Sequence, residues 1–214
     1  MPNIDFVQVF ISFLVLLFSL TVHEAAHAWS SDRLGDATAR MLGRVSLNPA
    51  VHVDPIGTVL FPLIALLTNL PVIGWAKPVP VNILNLHKNW REKYMVIAAA
   101  GPASNIVLAV IASLVLRAIA PASADALEEG LVSPLATVLE SAIYINVLLA
   151  VFNMVPVPPL DGGNVLAGLL RGPVGEAFER IRPYGFMILY GLMLTGVLSA
   201  LITPPARFLL SLLL

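Results

Sequence analysis

Leu20-Thr-Val-His23-Glu24-Ala-Ala-His27-Ala-Trp29 places two histidines and a glutamate near the end of an apolar segment that starts at Phe6. His23 and His27 are four apart, so on a helix they project from one face, one turn above the other. That spacing lets two imidazoles grip one Zn²⁺ and leaves Glu24 beside them to handle the proton of an attacking water. Between Phe6 and Val22 there is no charge, and Gln8 is the one strongly polar side chain. HExxH also recurs by chance on the surfaces of soluble helices. Here the apolar setting favours a metal site, because ionisable groups at the end of such a segment are costly in lipid and mark function.

The composition supports that setting. Of 214 residues, 58% are hydrophobic and 12% charged, against about 25% charged in soluble domains. The sequence therefore reads as an all-α, multi-pass membrane protein, one domain over residues 1–214 with a catalytic core over about 6–163 and C-terminal helices over 164–214. A formal net charge of −1 provides no basic field for nucleic acid. The absence of cysteine excludes disulfides, iron–sulfur clusters, thiolate zinc sites and cysteine nucleophiles, so any metal is held by His and carboxylate. The first segment is not a cleaved signal peptide, since it lacks a basic start and its far end carries the motif rather than a cleavage site.

Five apolar segments are expected. The first, Phe6 to Trp29, is long enough to cross a core of roughly 30 Å. After a polar exit, Ala37 to Leu47 carries β-branched residues and a glycine without a helical stripe, which suggests a short membrane-associated β-hairpin. Segment two, Thr58 to Ile73, is short and interrupted by Pro62 and Pro71, so it reads as re-entrant or broken. Segment three, Tyr94 to Ala120, contains Gly101-Pro102-Ala-Ser-Asn105, whose small residues allow close helix contact. Segment four, Pro134 to Val155, holds Asn146 and Asn153 and breaks at Pro156-Val-Pro158-Pro159-Leu-Asp161-Gly162-Gly163. Segment five spans Tyr184 to Ile202. Arginines and lysines follow segments one and four and precede segment three, so the positive-inside rule makes those ends cytoplasmic and the acidic loop 125–130 external. His23, His27 and Asp161 then share the cytoplasmic end of their helices.

A catalytic zinc site typically has three protein ligands and one open position. His52 and His87 lie in polar loops and Glu140 lies within segment four, which leaves Asp161 as the best third ligand. An Asx turn or helix cap would explain Asp161 equally well in isolation; its pairing with His23 and His27 decides for the ligand. Zinc with an adjacent carboxylate implies hydrolysis, since the ion acidifies water and polarises a carbonyl, while Glu24 serves as acid and base. Asn153 or Asn146 could donate to the substrate backbone or an oxyanion, or could be interhelical hydrogen-bonding groups. Asn105 and His52 join them as candidate substrate contacts.

HEAAH in an apolar helix, GPASN in a later one and Asn153-Met-Val-Pro-Val-Pro-Pro-Leu-Asp161-Gly162 in the next together resemble the site-2 protease family of intramembrane zinc metalloproteases. Arg33-Leu-Gly-Asp36, Gly43-Arg44, Leu47-Asn48-Pro49 and His52-Val-Asp54-Pro55-Ile-Gly57 resemble its compact bacterial and archaeal members. The resemblance covers roughly Val22 to Gly163. It implies one zinc ion on His23, His27 and Asp161, Glu24 as the catalytic acid and base, a three-helix core and a hairpin that pairs with an extended substrate. The implied partners are the bilayer and membrane proteins with a transmembrane helix, such as an anti-sigma factor or a membrane-bound regulator. The loop Pro121 to Ser133 is too short for a PDZ-like insert. Two rivals differ in class: a metal transporter, which would spread ionisable residues across membrane depth, and a non-proteolytic membrane chaperone on the same fold, against which intact Glu24 argues.

Overall fold

A computed structural model describes residues 6–60, 64, 75–119 and 132–214. Among the described residues three helices are long and apolar enough to cross a membrane: α1 (Phe6–Arg33), α3 (Trp90–Ile119) and α4 (Val132–Asn153). Between the first two lies α2, a single turn over Thr38–Met41. After α4 come α5 (Asp161–Leu169), α6 (Gly172–Ile181), α7 (Gly185–Leu194) and α8 (Val197–Leu213).

Helix α3 is the centre of the bundle and packs against α1, α4 and α5. Its buried positions include Ala98, Gly101, Asn105, Ala109 and Ala112, a stripe of small residues at helical spacing. Lipid tails are as apolar as leucine, so membrane helices associate through such close packing and through interhelical hydrogen bonds. One core joins Ala109 and Ala112 of α3, Ile143 and Val147 of α4, and Ala206 of α8. A second, formed by Val155, Leu160, Leu189 and Leu198, supports the turn that carries the chain from α4 into α5.

The chain after α1 corrects the hairpin expectation: among the described residues there is no strand. Asp36 Oδ1 accepts from the Thr38 amide at 3.1 Å and from Thr38 Oγ1 at 2.5 Å, an Asx turn that leads into a helical turn. Gly43, at φ 69°, stops it. Its amide bonds the Arg40 carbonyl and the Arg44 amide bonds the Ala39 carbonyl, both at 2.9 Å, the paired closure of a Schellman motif. The Asp36 carboxylate also takes the Asn82 amide at 2.7 Å and Asn85 Nδ2 at 2.8 Å, tying this turn to the strap that leads into α3.

Segment five is corrected as well. It is not one straight span but two helices, α7 and α8, which break at Thr195–Gly196 with a bend of 78°. Segment two begins as a wide helical turn over Pro55–Leu60. Most of its remainder and the acidic loop 125–130 lie outside the described residues.

Candidate active site

The three spans bring their functional residues to one level: His23 and His27 late in α1, Ile97 to Asn105 early in α3, and Asp161 just after α4. His23 Nε2 lies 3.0 Å and His27 Nε2 3.3 Å from Asp161 Oδ2. The two Nε2 atoms are 3.1 Å apart. His23 and His27 are buried, and the Asp161 side chain keeps 15% of its surface exposed. Among the described residues this is the one group of three or more such side chains placed to hold a metal.

Hydrogen bonds behind the imidazoles fix which nitrogen faces the centre. His27 Nδ1 lies 2.7 Å from the Ile97 carbonyl, which can only accept, so Nδ1 carries the proton and Nε2 presents a lone pair. His23 Nδ1 lies 2.6 Å from Asn105 Oδ1. The Asn105 amide is oriented in turn, because its Nδ2 donates to Asn146 Oδ1 at 2.8 Å and to the Ser19 carbonyl at 3.4 Å. Asn146 Nδ2 donates to the Ala142 carbonyl and to Ser19 Oγ, both at 2.9 Å. This chain of amides fixes the His23 tautomer, so His23 also points a bare Nε2 at the centre.

With both rings neutral, two lone pairs and a carboxylate oxygen face one another, an arrangement that a cation stabilises. Ligands about 2.0–2.1 Å from a tetrahedral zinc are roughly 3.3 Å apart, and the three separations here are 3.0, 3.1 and 3.3 Å. The donor set fits zinc, and imidazoles that donate their other N–H to an acceptor are what zinc sites generally show.

Two glycines make the approach possible. A Cβ on Gly101 would stand 2.3 Å from His27 Nε2 and 2.6 Å from His23 Nε2. A Cβ on Gly162 would stand 2.3 Å from the Met154 carbonyl oxygen, so the glycine lets α5 fold back under the end of α4 and deliver Asp161.

The remaining candidates are placed as follows. Glu24 is half-buried beside the pair. Asn105 and Asn146 lie behind His23 with their amides engaged. Asn153 Nδ2 donates to the Leu149 carbonyl at 3.0 Å, and the residue does not join the three ligand atoms. His52 is buried beside Leu17, Leu20 and Thr21 of α1; its Nε2 donates to the Ser46 carbonyl at 2.8 Å, and among the described residues its Nδ1 has no partner. His87 is exposed.

Sequence reasoning missed the Ile97 carbonyl, because a backbone acceptor leaves no mark in the residue types. It also missed Arg44, which is buried, donates to the Lys77 carbonyl and, among the described residues, has no partner for its Nε. Burial lowers its pKa, and attraction to the Glu24 carboxylate opposes that shift, so the guanidinium lies within electrostatic reach of Glu24. The Gly43-Arg44 pair was the available signal.

Comparison with known proteins agrees with this chemistry. Residues 118–196 match peptidase family M50. The chain is 34% identical over 195 residues to YwhC of Bacillus subtilis, whose name makes it a candidate zinc metalloprotease, covering 89% of this chain and 83% of that one. It is 30% identical over 190 residues to Rip2 of Mycolicibacterium smegmatis, named in the same terms, covering 86% of this chain and 66% of Rip2. No solved structure matches the chain significantly. The chain belongs to peptidase family M50, the site-2 proteases. It is accordingly a membrane metalloprotease of the zinc-dependent class.

Proposed function

We propose that the chain hydrolyses peptide bonds within or near the transmembrane segments of other membrane proteins, using one zinc ion held by His23, His27 and Asp161. The observation that carries this reading is the convergence of three lone-pair-bearing ligand atoms, 3.0 to 3.3 Å apart, beside a glutamate and within apolar helices. When bound, zinc supplies acidified water and a polarised scissile carbonyl. Glu24 takes the proton of the attacking water on its carboxylate and returns one to the leaving amine nitrogen. Asn105 and Asn146 act as positioning residues that hold the His23 ring. Asn153, at the end of α4, and His52, whose Nδ1 has no partner among the described residues, are further candidates to hydrogen-bond the substrate backbone.

The substrates are membrane-spanning regulators or anti-sigma factors, so the reaction is regulated intramembrane proteolysis in a bacterial or archaeal membrane. The basic residues flanking the site favour a position near the cytoplasmic face. The ligands gather at one level rather than along a path, which favours hydrolysis over metal transport. The test is cleavage of a membrane-spanning peptide by the full chain in lipid nanodiscs. Cleavage is expected to stop with a zinc chelator, to return on adding zinc, and to fall about 10²- to 10⁴-fold, the usual cost of losing a general base, in Glu24→Gln. Cleavage that persists in Glu24→Gln would sink the mechanism.

A further inference from the structure

Far from His23 along the bundle, a groove of about 290 Å³ opens between α1 and α4. Its lining mixes polar and apolar surface: Gln8 and Ser12 come from α1, and Thr137, Glu140, Ser141, Tyr144 and Ile145 from α4. Gln8 Nε2 donates to Ser141 Oγ at 3.1 Å, which holds the two helices together at this level. Glu140 is exposed and, among the described residues, makes no hydrogen bond or ion pair.

At 1.5 Å per residue, Glu140 lies about 20 Å along α4 from Asn153, and Ser12 about 16 Å along α1 from His23. A hydrocarbon core of roughly 30 Å thus contains the groove when the metal site lies near one face. A carboxylate facing lipid there is costly and calls for a partner with a donor. The same stripe of α4 leads toward the catalytic end, since Tyr144 and Leu148 follow Glu140 at four-residue spacing and remain 51% and 42% exposed.

We propose that this groove docks the membrane-spanning helix of the substrate and recognises a hydrogen-bond-donating side chain on it. Along a helix, that side chain would sit about 13 residues from the scissile bond, the count that covers about 20 Å. Charge complementarity and the continuous stripe select a substrate helix over a second copy of the chain or lipid alone. The proposal rests on the proteolytic reading above.

The test uses the full chain in nanodiscs and a set of fluorescent polyleucine spans, each carrying one glutamine at a successive position, beside the all-leucine parent. Binding is measured on Glu24→Gln, which does not depend on turnover, and cleavage on the wild type. One glutamine position is expected to bind about ten-fold more tightly than the parent, the size of one hydrogen bond to a charged group. Glu140→Leu removes that preference and Glu140→Gln, still an acceptor, retains part of it. In cleavage the preference appears in KM with kcat unchanged, and a short soluble peptide is hydrolysed equally by wild type and Glu140→Leu. Equal binding of all spans, a preference that survives Glu140→Leu, or a groove occupied by a second copy would each overturn the proposal. Binding preference without cleavage would leave docking intact and defeat the proteolytic reading; cleavage without preference would do the reverse.

Discussion

Gly101 shows how little room the metal ligands have. Its missing side chain is the space that His23 and His27 occupy, with Nε2 atoms 2.6 and 2.3 Å from where a Cβ would stand. Gly101→Ala is expected to leave a helical, membrane-inserted protein, by circular dichroism, that binds zinc at least ten-fold more weakly in a competition titration. Asn105→Ala removes the acceptor for His23 Nδ1 and frees that ring to turn; loss of such a partner typically costs 10- to 100-fold in metal affinity, to be read in the same titration. At this scale the side-chain ligands were legible from spacing and setting, because two histidines four apart must share a helical face. Asn105 and Asn146 were visible as polar residues in apolar spans, but not their duty behind His23. Which way an amide points depends on groups of other helices, here the Ser19 carbonyl for Asn105 and the Ser19 hydroxyl for Asn146.

Asp36 governs the element that follows α1. Its carboxylate is buried, and burial alone would push its pKa up. Hydrogen bonds from Thr38, Asn85 and the Asn82 amide outweigh that and hold it below the ordinary carboxylate range. A depressed folded-state pKa contributes stability that is present above the unfolded value near 4 and is lost as pH falls through the lower folded value. Asp36→Ala is therefore expected to be destabilised by about 2–3 kcal/mol at pH 7, with the gap from wild type narrowing below about pH 4. Thermal melts of both proteins in detergent from pH 7 to pH 3 check this. The same residue explains why Ala37 to Leu47 reads as a hairpin from sequence and folds as a helical turn: β-branched residues and a glycine suit both, and the Asp36 carboxylate, accepting from the Thr38 amide two residues on, tips the balance. Segment five failed differently. Hydropathy records how apolar a stretch is but not its direction, so the break at Gly196 between α7 and α8 was hidden.

Across the whole molecule, long apolar stretches and proline-rich breaks made the membrane spans legible, and α1, α3 and α4 lie where hydropathy puts them. The path between them was not legible, because loops are held by scattered contacts such as Lys77 N to the His52 carbonyl at 2.9 Å. The ligands come from elements separated by more than a hundred residues, so a bound ion staples α1 to α5. Removing zinc with a chelator is expected to lower the melting temperature of the wild type by several degrees, since ligand binding to the folded state alone adds RT ln(1 + [L]/Kd). His27→Ala, already without the site, is expected to show no such drop. The most direct test of the account is zinc stoichiometry, by elemental mass spectrometry on the purified chain and its variants. About one zinc per chain is predicted for the wild type and for Glu24→Gln, falling to near zero in His23→Ala, His27→Ala and Asp161→Ala. Full zinc occupancy in Asp161→Ala would contradict it.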